Sequence, residues 1–446
     1  VLTQGGGRGS APGQALWCPK ILLGPENRRL VQVDPSNYRI QVYDLTGRET
    51  ETLDRVVSDI RFPATQKPDH VVLTLGADPD RNRRVTWRTD VATVGSEAMV
   101  LKISSEDDTS NVDWNSPAVR KLAGSSVEYY GNLGSFRSHE LEVGDLESGA
   151  QYAYRVGSWS EQGWSETRFI RMAPQPEEQL KVVVLGDSRN RMDVWSHIVN
   201  SSAEQEPAFI INTGDLVANG YDMMDWDSWF KEARLVFDRI PLMPCLGNHE
   251  RQSPIYFLSF ALPTNGPDGL KEQCYSFDYG PAHWVVLNTE VDLEEQAKWL
   301  EEDLANVSKP WIFAFFHRPA YAGHPSRGDG NTDVRSAWSG LFEREGVDIA
   351  WQGHDHYYFR TKPIRDLEVV EPGSGPIYVT TGGAGAPLYP IQENRYAEIA
   401  ESVDHYCVMT LTQRRCEVAV FRADGSLLDQ FSLQPRRPDE VPEQAE

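Results

Sequence analysis

Asp187, Asp215, Asn248, His249, His317, His354 and His356 share one feature: each stands at the end of a short apolar run, as in VVVLGD, FIINTGD, MPCLGNH, IFAFFH and IAWQGHDH. Carboxylate, carboxamide and imidazole together make a good shell for borderline divalent metals such as Zn, Mn, Fe or Co. One carboxylate can bridge two ions. Two close ions can hold a hydroxide nucleophile and clamp a phosphoryl oxygen, so no protein nucleophile is needed. The chain offers no serine elbow or Cys–His motif in competition. Taken singly, each residue has a plainer explanation. An Asp after a strand is commonly a turn residue or helix cap. A lone His is commonly structural, and GNHE or GHDH could be an ordinary loop. Five such endings in order imply a single crevice, because ligands of α/β sheets bind beyond the carboxyl ends of the strands.

The elements that must position these residues follow from the hydrophobic pattern. KVVVLGD, PAFIINTGD (207–215) and PLMPCLGNHE (241–250) read as strands, with helical patterns at 192–206 and 225–239 between them. In the first helix Val194, Ile198 and Val199 share one side. Strand, helix and strand recur at close to the ~30 residues of a βαβ unit. A hairpin-like stretch (274–290), an acidic helix (292–307), a strand (311–317) and a helix (334–344) come next, then VDIAWQGHDH and GPIYVTTGGAGAP. Upstream, HVVLTL, RRVTWRT and EAMVLKI are short alternating runs between turn residues, the pattern of an all-β unit. HELEVGDLESGAQYAYRVGS sets Leu146, Gly149 and Tyr152 in the layout of a tyrosine corner, although an ordinary hairpin would look similar.

Composition bounds the rest. The 446 residues suffice for two or three domains, and 40% hydrophobic content is that of a globular protein. No run reaches the roughly 20 apolar residues of a membrane span, so no integral membrane segment is expected. A formal net charge of −23 disfavours nucleic acid as a partner. A cationic centre can still draw a small anion into a cleft. The cysteines are Cys18, Cys245, Cys274, Cys407 and Cys416, with no CxxC pair, allowing at most two disulfides and one free thiol. The opening VLTQGGGRGSAPG reads as a mature N-terminus left by signal-peptide removal or as a trimmed end, giving a secreted or periplasmic expectation.

GDSR, GDLV, GNHE, FFHRPAY and GHDH resemble the five signature blocks of the calcineurin-like metallophosphoesterases. HVVLTL, VTWRT and HELEVGDLESGAQYAYRVGS resemble the N-terminal domain of purple acid phosphatases. These resemblances imply a fibronectin III-like β-sandwich followed by an α/β metallophosphoesterase domain with a β-sandwich core flanked by helices. The expected division is an N-terminal β extension (1–65), the sandwich (66–174), the metallophosphoesterase domain (175–434) and a disordered tail (435–446).

The resemblance implies a metal-dependent phosphatase or phosphodiesterase acting on a small phosphate ester. It implies two divalent or trivalent ions, Fe, Zn, Mn or similar; the chain's departure from the family at the first position leaves open that one position is weak or empty. By it Asp215 bridges the ions, Asp187 and His356 hold the first, and Asn248, His317 and His354 hold the second. Asn248 also faces the substrate, and His249 lies beside the scissile phosphate as a hydrogen-bond donor or proton source. His324, in the loop after the FFHRPAY block, is a candidate for substrate contact, with Arg327 and Tyr321 in the same loop.

The chain departs from its relatives at Arg189, where many metallophosphoesterases place a His ligand, and at Ala218, where purple acid phosphatases place a ligating Tyr. Arg cannot ligate a metal but is shaped to hold phosphate, so Arg189 is expected to bind the phosphoryl group or orient Asp187. The alternative reading is a degenerate metallophosphoesterase scaffold with a binding or structural role.

Overall fold

A computed structural model describes residues 64–105, 112–160, 163–175 and 177–437, with the backbone of four strands before them. Those strands, Lys20–Leu23, Arg29–Asp34, Arg39–Asp44 and Glu49–Thr52, form an antiparallel sheet. The third falls inside the expected NYRIQVYDL strand. Most of the expected disordered tail lies outside the described residues.

The next unit is a sandwich of two four-stranded antiparallel sheets. One orders Asp69–Leu75, Arg83–Thr89, Gly134–Val143 and Ser125–Gly131; the other orders Arg168–Arg171, Gln151–Gly157, Glu97–Ile103 and Arg120–Ala123. Leu73, Val85, Trp87, Val100, Leu141 and Tyr154 fill the space between them. The tyrosine corner forms: the Tyr152 hydroxyl accepts the Glu147 N–H at 3.0 Å.

The first of these sheets also buries its outer face. Val72, Leu75 and Phe136 join the main core of the following unit. Thr74 and Thr86 donate hydroxyl bonds of 2.6 Å to the carbonyls of Ala261 and Ser259. HVVLTL is therefore buried on both faces where its alternation predicted one, because a second layer packs on the side expected to meet water.

That following unit has two sheets face to face. The first orders Leu242–Pro244, Phe209–Asn212, Leu180–Leu185, His405–Leu411, Cys416–Arg422 and Leu427–Leu433. Its first three strands run parallel, and His405–Leu411 then pairs antiparallel with Leu180–Leu185. The second sheet is built around parallel Ala282–Val286, Trp311–Phe316, Ile349–Gln352 and Ile377–Thr381. Val182, Val184, Phe209, Trp284, Phe313 and Trp351 share the core cluster of these facing sheets. Strands buried on both sides read as continuous apolar runs, which is the pattern of VVVL and IFAFF.

Helices cover the outer faces. Met192–Ala203 and Met223–Glu232 meet through Trp195 stacked on Trp229 at 5.2 Å. Leu293–Ala305 buries Leu300 and Leu304 with Trp338 and Phe342 against the second sheet. Two expected helices differ. The 225–239 helix starts at Met223, where Asp222 caps the Met224 N–H, and ends at Glu232. The 334–344 helix is interrupted by a π turn over Arg335–Ser339. The four described cysteines, Cys245, Cys274, Cys407 and Cys416, are buried free thiols, so no disulfide forms among them.

Candidate metal centre

The expected residues come from both sheets. Asp187 follows Leu180–Leu185, Asp215 follows Phe209–Asn212, and Asn248 and His249 follow Leu242–Pro244. His317 follows Trp311–Phe316 and His354 follows Ile349–Gln352, in the facing sheet. The crevice thus lies across the ends of two sheets.

Backbone geometry explains the motif spelling. Asp187, Asp215 and His354 adopt left-handed φ values of 56°, 55° and 69°. Non-glycine residues held there store strain, which persists only where surrounding contacts over-determine it. The glycines allow the close approach. Gly214 has φ +103°, and a Cβ on it would meet His317 Nδ1 at 2.7 Å. A Cβ on Gly247 would meet Asp215 Oδ1 at 2.3 Å.

Two groups of donors result, Asp215–His317–His354 and Asp187–Asp215–His356, and within each the ligand atoms lie within 4.8 Å of one another. Asp215 belongs to both. Its Oδ1 lies 3.3 Å from His317 Nε2, which is 3.2 Å from Asn248 Oδ1 and 3.2 Å from His354 Nδ1. On the other side His356 Nε2 lies 3.4 Å from Asp187 Oδ1. The imidazoles are aimed from behind. His317 Nδ1 donates to the Thr213 carbonyl at 3.0 Å and His356 Nδ1 to that of Pro387 at 2.6 Å, turning each Nε2 toward the crevice.

Asp187 is fully buried, and its Oδ1 has no hydrogen-bond partner. Such an orphaned carboxylate oxygen is costly unless a cation meets it, so the donor set fits bound metal.

Charges in the crevice reinforce one another. Burial opposes ionisation of Asp215, but the His317 and His249 charges hold its carboxyl far below the usual range. Burial alone would lower the pKa of His317, yet Asp215 raises it to about 10. His354 is pushed down to about 2 by burial, then by the charges of His317 and Arg318, so it is neutral.

His249 donates its backbone N–H to Asp215 Oδ1 at 3.0 Å, and its Nδ1 donates to the Ala218 carbonyl at 2.6 Å. Its Nε2 lies 3.8 Å from Asp215 Oδ2. Arg189 turns into the crevice, with Nε 3.3 Å from Asp215 Oδ2 and Nη2 3.3 Å from His356 Nε2. His324 lies further out. It meets the edge of Tyr389 at 5.4 Å, and Tyr389 in turn stacks on His356 at 3.9 Å. Tyr321 packs in the core against Tyr378 and Tyr396.

Sequence reasoning missed three supporting groups. Glu250 is buried and accepts the N–H groups of Asp215 at 3.0 Å, Gly247 at 2.8 Å and Val217 at 3.2 Å. Burial and the Asp215 charge raise its pKa to about 7. Arg318 pairs with Glu290 through bonds of 2.7 and 2.9 Å and sets Nη1 3.5 Å from His354 Nε2. Tyr389 forms a wall on His356. Glu250 was visible in GNHE, and Arg318 in FFHRPAY; nothing in TGGAGAPLY marked the tyrosine.

Residues 180–358 match the calcineurin-like phosphoesterase family, and residues 68–172 match the purple acid phosphatase N-terminal domain. The chain carries a calcineurin-like phosphoesterase domain behind a domain of the purple acid phosphatase N-terminal type. It is a metal-dependent phosphoester hydrolase.

This metallophosphoesterase is 26% identical over 418 residues to purple acid phosphatase 15 of Arabidopsis thaliana, covering 82% of the chain and 76% of that relative. It is 31% identical over 290 residues to acid phosphatase type 7 of Mus musculus, covering 55% and 64%. Among solved structures, purple acid phosphatase PPD1 from yellow lupin (Lupinus luteus) seeds superposes with a TM-score of 0.73 at 18% identity, covering 93% of the chain and 82% of its own. At that identity the likeness concerns the fold.

Proposed function

We propose that this metallophosphoesterase hydrolyses small phosphate esters at the crevice between its two sheets, with Asp215 bridging two metal positions. Asp187 and His356 serve the first; Asn248, His317 and His354 serve the second. The observation that carries this reading is the membership of Asp215 in both donor groups. When bound, the ions supply Lewis-acid activation of the phosphoryl group and of the attacking water. Iron, zinc and manganese all suit these oxygen and nitrogen donors.

The chain's own residues do the rest. His249, held through Nδ1 by the Ala218 carbonyl, keeps Nε2 free to hand a proton to the leaving oxygen. Asn248 orients the phosphoryl group from the amide, and Arg189 supplies N–H donors to it. His324 and Tyr389 form the outer wall that meets the leaving group. Ala218 offers only its carbonyl where a ligating tyrosine would stand, so the loaded protein has no tyrosinate charge-transfer colour. We assign a sandwich over 66–174 that supplies no ligand and a catalytic domain over 175–434. We read the protein as secreted or periplasmic.

The test pairs metal counting on purified protein with a panel of aryl mono- and diesters. Bound metal with hydrolysis of at least one class is the expected result. Bound metal with no turnover of any ester would make the chain a binding scaffold instead.

A further inference from the structure

Arg189 sets a guanidinium among groups suited to hold a cation. Its guanidinium meets Asp215 Oδ2 and His356 Nε2, each at 3.3 Å. Both residues belong to the Asp187–Asp215–His356 donor group. Because His356 Nδ1 is committed to the Pro387 carbonyl, Nε2 is the lone-pair nitrogen. A lone pair that accepts an Arg189 N–H cannot at the same time be given to a metal.

We propose that Arg189 competes with the first ion for these lone pairs, so that the two positions fill in order. The second position, at Asp215, Asn248, His317 and His354, fills first. The first fills only after the guanidinium withdraws. This rests on the two-position reading above.

Three further observations support the ordering. The Arg189 side chain is only 12% exposed, so the guanidinium is held in the crevice and not solvated. Near a dication its guanidinium is repelled. It is also tethered outside the donor group, where Nη1 bonds Asn190 Oδ1 at 2.5 Å, so Nε and Nη2 can give up their contacts while that bond is kept.

The second position is hindered less. Arg318 touches one of its donors, His354 Nε2, at 3.5 Å, and is drawn away from it by bonds of 2.7 and 2.9 Å to Glu290. Arg189 leaves Asp187 Oδ1 without a partner. That oxygen still attracts a cation, so the first position is weakened rather than abolished.

The experiment titrates metal-free full-length chain with Mn2+, read by calorimetry and by the electron paramagnetic resonance signal of spin-coupled Mn2+ pairs. The wild type should bind one ion, then a second at roughly tenfold or more higher free Mn2+, with the coupled signal appearing only in the second step. Arg189→Ala and Arg189→Met, each checked for an unchanged fold by circular dichroism, should narrow that gap and bring the coupled signal forward. Asp187→Asn should remove the second step alone. Two ions of equal affinity in the wild type, or an unchanged gap in both Arg189 variants, would overturn the competition while leaving the phosphoesterase reading intact. A wild type that binds no ion would overturn both.

Discussion

The carboxylate of Glu250 grips the loop that carries Asp215: one oxygen accepts the N–H groups of Asp215 and Gly247, and the other accepts that of Val217. The residue shared by both donor groups is thus fixed by a buried acid that itself faces no substrate. Replacing one oxygen by an amide turns an acceptor into a donor aimed at N–H groups. An unsatisfied buried polar group costs about 1–3 kcal/mol. Glu250→Gln should therefore lower metal affinity roughly tenfold or more and reduce thermal stability. Unchanged metal content and an unchanged Tm in this variant would remove Glu250 from the supporting role.

Asp215→Ala should abolish metal binding at both positions, because one carboxylate serves both donor groups. His354→Ala should weaken mainly the second. Metal analysis after dialysis against trace ions separates the two patterns, and full occupancy in Asp215→Ala would exclude a bridge.

If His249 protonates the departing oxygen, the need for it depends on how poor that leaving group is. His249→Ala should cost on the order of a hundredfold in kcat on an alkyl phosphate and far less on a nitrophenyl phosphate, which leaves unaided. A uniform loss across a leaving-group series would instead assign His249 to binding the phosphoryl group.

His283 tests electrostatics away from the crevice. Its Nδ1 lies 2.7 Å from Asp278 and its Nε2 2.9 Å from Asp303. Burial lowers its pKa, but the two carboxylates outweigh burial and raise it to about 9. A raised folded pKa stabilises in full below the unfolded value of about 6.5, and the gain is lost as pH rises through 9. Tm should fall between pH 7 and pH 10 by the equivalent of about 1–2 kcal/mol. His283→Gln should flatten that fall; an identical pH profile in the variant would show that the pair contributes nothing.

The proposed ligand positions were legible because each is a local motif: an apolar run ending in a donor, with a glycine before the first donor everywhere but at His317. The glycine in GD, GNH and GHDH answers a contact the structure makes explicit, as at Gly247 against Asp215. What pairs distant segments was not legible. Glu250 acts on backbone at 215 and 217, Glu290 finds Arg318, and Tyr389 covers His356. None of these leaves a periodic trace. Propensity also misjudged the helix expected to reach 239, since the apolar residues beyond Glu232, Val236 and Phe237, are buried in turns. Arg189 was legible as an anomaly, but only the fold shows which two atoms it meets.

The strand that carries Asp187 lies between Phe209–Asn212 and His405–Leu411. During synthesis its first neighbour follows at once, but its second emerges only after the entire facing sheet has been made. Until then one side of Leu180–Leu185 is an unpaired edge of apolar residues, the kind of surface on which nascent chains aggregate or recruit chaperones. The metal-binding crevice therefore depends on a closing strand that supplies none of the proposed ligands, and a chain released before residue 405 would carry every proposed ligand without the sheet that aligns them.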